Sequence, residues 1–249
     1  MSGQIANITP DDTRRLERVL DDVGADGMTR RVLLRRAAVT TALACAAAPG
    51  VALARATSTS LTEIVDTAVT AEALAVTYLT GLVRDASAAG VGRFVEVLRA
   101  ANAAEYDHYR ALERLGAKPV TTRFWVPDAF FEPGEPFKVL ETAETLFVDA
   151  YLIAATAFAA AGKADLARYA GEIGAVEAQH LALARLAQDK LPDDRAFQAY
   201  AISDIGGIVA ALQRAGIGFG KRGQGRGRFH EFSPPPAAAL TAITGRVPM

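Results

Sequence analysis

The chain has 249 residues, a formal net charge of −1, three His, one Cys and 51% hydrophobic residues, with only 7% aromatic. That length allows one or two domains and a core that folds without staples. The near-neutral charge argues against a dedicated nucleic-acid binder, and a single Cys excludes a disulfide framework, a Cys-ligated zinc site and an iron–sulfur cluster. Apolar content with few aromatics favours helices over sheet, so the expected fold class is all-α. With so few His, any transition-metal site has to draw on carboxylates.

Residues 1–54 read as an address label. Thr29-Arg30-Arg31-Val32-Leu33-Leu34-Arg35 is a twin-arginine pattern, followed by an uncharged run from Ala37 to Ala54 that ends Ala52-Leu53-Ala54, an A-x-A-like cleavage signal. The run is Ala/Thr-rich and broken at Pro49-Gly50, unlike a membrane anchor, which needs about 20 well-apolar residues. The expectation is a twin-arginine (Tat) export signal cleaved after Ala54, which places the mature chain in the periplasm, cell envelope or outside the cell. Six acids among residues 1–28 are odd for the start of a signal, and Met28 offers an alternative start. Cys45 follows Ala42-Leu43-Ala44, a poor lipobox, and lipidation there is the minor alternative.

The first helical run opens at Ser60-Leu61-Thr62-Glu63, a capping-box pattern, and extends to about Ala88 before Gly90. A second covers Val91 to Leu115, stopped by Gly116. Residues 117–135, with Pro119, Pro127, Pro133 and Gly134, form a long irregular connection. A third run spans Pro136 to Ala161 and a fourth Ala164 to Leu191, before Pro192. Runs of about 25 residues are roughly 38 Å long. Two tightly turned hairpins joined by a long crossover is the ferritin-like four-helix topology, here over residues 55–192. Residues 193–249 form an extension with a short helix, Ile205 to Ala215, and a Gly/Arg- and Pro-rich tail. The tail's Lys221, Arg222, Arg226 and Arg228 read as a solvated segment, or one wrapping back along the helices, rather than a nucleic-acid contact.

Two of the three His occur as Glu-x-x-His: Glu105…His108 in run two and Glu177…His180 in run four. On a helix, positions i and i+3 share a face, so each pair presents a carboxylate and an imidazole together. Runs one and three carry Ala71-Glu72-Ala73-Leu74 and Ala143-Glu144-Thr145-Leu146. Glu72 to Glu105 and Glu144 to Glu177 are both separations of 33 residues, and the halves repeat with an offset of 72. The midpoints fall between Ala88 and Ala89 and between Ala160 and Ala161, on the two expected turns. In antiparallel hairpins all four Glu then stand at one height, with His108 and His180 beside them.

One Glu from each of two helices and Glu-x-x-His from each of two others is the ligand set of a dinuclear carboxylate site. Hard oxygens and two imidazoles suit iron or manganese. A lone Glu-x-x-His is usually a surface pair. With Glu at 13 of 249 residues, however, finding it before both helical His is roughly a one-in-400 coincidence. Tyr151, seven residues after Glu144, is a candidate for a redox role, with core packing the commoner fate of Tyr151, Tyr106 and Tyr109. Asp66, Asp107 and Asp149 are candidates to hydrogen-bond the ligating imidazoles.

On these residues the sequence resembles the ferritin-like superfamily, in particular exported bacterial ferritin-like proteins with twin-arginine signals, related to desiccation-associated ones. The resemblance covers roughly Leu61 to Leu191. It implies a metal-ligand role for Glu72, Glu105, His108, Glu144, Glu177 and His180, with Glu105 and Glu177 bridging or chelating between the metals and Glu72 and Glu144 terminal. It implies two iron ions, or alternatively two manganese ions, with ferroxidase or O2/peroxide chemistry. A dimanganese catalase-like enzyme and a non-catalytic stress-protective protein are the alternatives. Metal ions, O2 or peroxide and the Tat machinery are the expected partners, and homo-oligomerisation is left open. The absence of Cys after residue 54 departs from relatives that carry a rubredoxin-like centre.

Overall fold

The computed structural model of the chain describes residues 60–192, 194–198, 200–236 and 240. The expected export signal, its cleavage after Ala54, the alternative start at Met28 and the alternative at Cys45 lie outside the described residues.

Helix α1 (Leu61–Arg84) starts where the sequence places a cap: the Ser60 hydroxyl accepts the Glu63 backbone N–H at 3.1 Å. A turn through Gly90 (φ 72°) and a short 3₁₀ segment (Gly92–Phe94) lead into α2 (Val95–Arg114). Helix α3 (Pro136–Ala160) has Pro at its first turn, where the missing N–H costs nothing. It reverses through Gly162 (φ 69°) into α4 (Ala164–Leu186). Both glycines sit in the left-handed region that other residues avoid, and both lie beside the midpoints of the Glu–Glu separations. Helix α4 ends at Leu186, five residues short of the expected Leu191. Asp189 adopts φ 57° and the Lys190 N–H returns to the Arg185 carbonyl at 3.1 Å. Helix α5 (Ile205–Arg214) is capped by Asp204, which accepts the Gly207 N–H at 2.8 Å.

Helix α1 packs along α2 and α3 along α4, with α1 also against α3 and α5 against α3. The core lies between them and is Ala/Leu/Val-rich, with Val69, Val76, Leu79, Leu82 and Leu98 all at most 2% exposed. Helix α3 alone among the described helices is long and apolar enough to cross a membrane. Its buried Glu144 and Asp149 and its packing against three other helices fit a core helix instead.

The protein is mostly helical but not all-α. A three-stranded antiparallel sheet, order β2-β1-β3, is built from β1 (Arg123–Pro127), β2 (Gly218–Phe219) and β3 (Gly227–Glu231). Phe124 faces Phe219 and His230 across the ladders, and Trp125 faces Gly218 and Phe229. Residues 117–135 are therefore not wholly irregular, and the tail is not simply solvated. The strand pairs join segments about a hundred residues apart, and no local period reports such pairing. Three of the tail's four cations meet partners in or beside β1. Arg226 and Arg228 lie 3.4 and 3.7 Å from Asp128 carboxylate oxygens, and Arg222 lies 5.0 Å over the Trp125 ring. From the other side, the Arg123 guanidinium stacks 3.7 Å over Phe229 and reaches Glu231 at 3.1 Å.

Candidate metal centre

Each long helix contributes an acid to the interior: Glu72 from α1, Glu105 from α2, Glu144 from α3 and Glu177 from α4, all at most 4% exposed. One helical turn after Glu105 and Glu177 stand His108 and His180, on the same faces. The structure brings all six expected ligands into one cluster. His108 Nδ1 lies 3.1 Å from Glu177 Oε1, 3.4 Å from Glu105 Oε2 and 3.7 Å from Glu72 Oε2. His180 Nδ1 lies 2.7 Å from Glu105 Oε1 and 3.5 Å from Glu177 Oε2.

The six resolve into two overlapping sets able to hold an ion each, with ligand atoms within 4.8 Å of one another. One is Glu72, Glu105, His108 and Glu177; the other is Glu105, Glu144, Glu177 and His180. Glu105 and Glu177 belong to both, and each offers one oxygen to either side. Among the described residues, twelve buried side-chain N or O atoms lack a hydrogen-bond partner, and eight of them belong to this cluster. Buried acceptors facing one another without donors are strongly unfavourable unless a cation or protons lie among them.

The titration behaviour follows from the same geometry. Burial, reinforced by Glu177 and Glu105, pushes Glu72 well above the usual carboxylate range. Burial together with Glu105 and Glu177 does the same to Glu144. Burial also acts on Glu105, but the imidazoles of His180 and His108 outweigh it and hold its carboxyl low. Desolvation disfavours charge on both imidazoles, yet the facing carboxylates prevail and raise His108 and His180 above the ordinary His value. Without metal, burial and the facing charges thus favour protons on the outer acids Glu72 and Glu144 and on the two imidazoles.

Tyr151, 5% exposed, donates its hydroxyl to Glu72 Oε1, across from α3 to α1. The close approach that permits this involves Gly174 of α4, where an added Cβ would lie 3.1 Å from Tyr151 Cβ. Gly inside a helix costs about 1 kcal/mol, so its presence here fits a packing demand. Tyr106 and Tyr109 are packing residues instead. Their rings stack at 6.2 Å, Phe232 from the tail covers Tyr109 at 4.5 Å, and the Tyr109 hydroxyl donates to Glu113 at 2.9 Å.

Two of the three Asp expected to orient imidazoles hold backbone instead. Asp66 accepts the Lys118 N–H at 2.7 Å, and Asp149 accepts the Ala201 and Ile202 N–H groups, both at 3.1 Å. Both tie later chain segments to the helices. Sequence reasoning did not single out Asn102, which donates to the Thr80 hydroxyl at 3.1 Å and joins α2 to α1 near the site. A buried Asn on a helix face with Glu105 was the available signal. His230 stands apart from the centre, stacked on Phe131 at 5.5 Å.

Comparison of the chain with protein-family models, with curated proteins and with solved structures finds no match.

Proposed function

We propose that this chain is an exported ferritin-like four-helix protein whose dinuclear carboxylate centre holds two iron ions and carries out ferroxidase or O2/peroxide-linked redox chemistry. The observation that carries this reading is the sharing of Glu105 and Glu177 between two overlapping four-ligand sets. A single structural ion needs no such duplication, and the oxygen-rich donor set suits iron or manganese over a closed zinc site. When bound, a pair of such ions supplies a redox centre able to take up dioxygen or peroxide.

The chain's own residues have separable tasks. Glu105 and Glu177 would bridge, Glu72 with His108 and Glu144 with His180 would complete the two ends, and the surrounding aliphatic side chains exclude water. The Tyr151 hydroxyl holds a proton at Glu72 Oε1. Export through the Tat route, which carries folded proteins, fits a centre loaded before the chain crosses the membrane. The expected N-terminus of the exported chain is Arg55, read by N-terminal sequencing.

Metal analysis of protein purified from its own host tests the centre. About two Fe per chain are expected, with Glu105→Ala and Glu177→Ala losing both. No metal after anaerobic loading overturns the reading. Two Mn, with peroxide disproportionation, would assign the catalase-like alternative. Metal content and thermal stability unchanged in both variants would leave a structural role.

A further inference from the structure

We propose that the cavity enclosed by α1, α3, β1 and α5 binds a single medium-length aliphatic chain, its inner end laid against Glu144. The cavity holds about 360 Å³, within the roughly 300–1,000 Å³ usual for small-molecule sites. Its floor is made by Leu74, Leu79, Val126 and Phe147, all buried, with Glu144 as the only acid there. Its rim is formed by the exposed Lys138 and Thr142 on α3 and Ala215 after α5.

The polar groups lining it are already committed. The Tyr78 hydroxyl donates to the Phe130 carbonyl at 2.7 Å, Thr142 to the Lys138 carbonyl at 3.0 Å, and the Lys138 ammonium to Glu135 at 2.7 Å. Among the described residues the interior therefore offers no free donor beyond a proton on Glu144 itself, and Glu144 Oε2 is the one buried polar side-chain atom lining it without a partner. A sugar, nucleotide or peptide would leave its own polar groups unpaired inside. An aliphatic chain would not, and its polar head would remain at the rim beside Lys138 and Thr142. A second apolar cavity of about 140 Å³, lined by α2 and α4 side chains, shares Leu79, Leu140 and Glu144 with the first and reaches His180. Glu144 is thus flanked on both sides, with the larger space for the chain and the smaller for a diatomic or peroxide reactant. Occupation of the larger cavity stands by itself. Its role as a substrate site beside a redox centre rests on the dinuclear reading above.

The experiment titrates the purified chain, metal-free and metal-loaded, with hexanol, octanol, decanol and decanoate. Displacement of an environment-sensitive aliphatic fluorophore reports binding, and metal content is measured in parallel. One site per chain is expected, tightening about fourfold per added methylene, the equivalent of about 0.8 kcal/mol per buried CH₂. Thr142→Trp, a bulky plug on the exposed rim, should weaken decanol binding roughly tenfold or more, and Ala75→Phe, entering from α1, should do the same. Affinity independent of chain length, or unchanged in both variants, overturns the proposal. So does a concentration-dependent dimer that excludes decanol, which would assign the cavity to a second copy. Decanol binding by a chain that never takes up metal would sustain the cavity and remove the dinuclear reading. Two metals per chain without decanol binding would do the reverse.

Discussion

At the residue scale, the centre was legible because helical geometry converts spacing into position. Glu72, Glu105, Glu144 and Glu177 could be set at one height from two separations and two turns, and the structure brings them together with His108 and His180. The partners of the Asp side chains were not legible, since Lys118, Ala201 and Ile202 reach Asp66 and Asp149 from segments fifty residues away. Tyr151 was legible only by its face, and its hydrogen bond to Glu72 yields a prediction. Tyr151→Phe should keep the fold and weaken metal affinity about 10–100-fold, the usual cost of losing a partner that orients a ligand. A competitive chelator titration reads this. The raised Glu72, Glu144, His108 and His180 yield a second: each is shifted toward its protonated form in the metal-free chain, and metal binding has to displace those protons. Affinity for Co²⁺ should therefore rise with pH, with protons released on binding. Calorimetry in buffers of different ionisation enthalpy counts them, and zero release would contradict the titration behaviour described.

At the scale of elements, helix starts were written locally in Ser60, Pro136 and Asp204, because capping needs only neighbouring residues. The end of α4 was not. It is fixed by Arg185, 8% exposed, which donates to the Leu191 carbonyl at 3.0 Å, to Glu141 at 3.1 Å and to Asp194 at 2.8 Å. Gln188 adds bonds to the Phe137 carbonyl and to Glu141, at 3.0 and 2.9 Å, and Lys190 also pairs with Glu141. Arg185→Ala should cost about 1.5–3 kcal/mol in denaturant unfolding, the usual scale for losing charge-assisted hydrogen bonds that are only partly buried. Burial raises the Glu141 carboxyl, but Lys190, Gln188 and Arg185 prevail and hold it below its ordinary 4.5. A carboxylate lowered in the folded state stabilises fully above 4.5, and that share is lost as pH falls through the lowered value. Glu141→Gln should flatten the acid limb of the stability profile, and an unchanged slope would count against this pairing.

At the scale of the whole molecule, a mostly helical chain was legible in composition and period, whereas the sheet was not. Arg123–Pro127 is a short apolar run in a Pro-rich stretch, and its partners sit in a tail that reads as Gly/Arg-rich. Only folding brings them together, and α5, just before β2 in the chain, packs on α3 and lines the cavity beside Glu144. Four buried acids are a burden on the metal-free protein. Replacing Glu72 and Glu144 together with Leu should raise the melting temperature of the metal-free chain, a gain of about 1–4 kcal/mol, while abolishing metal uptake. A lower melting temperature would show that the protonated acids are well accommodated as they stand. The two overlapping ligand sets have a consequence for biosynthesis. Each hairpin supplies three members of its own set and borrows one carboxylate from the other, Glu177 for the first and Glu105 for the second. A nascent chain halted after α2 would hold an incomplete site, and only when residue 177 leaves the ribosome can either set close. Metal content would then report that the two hairpins have folded against each other.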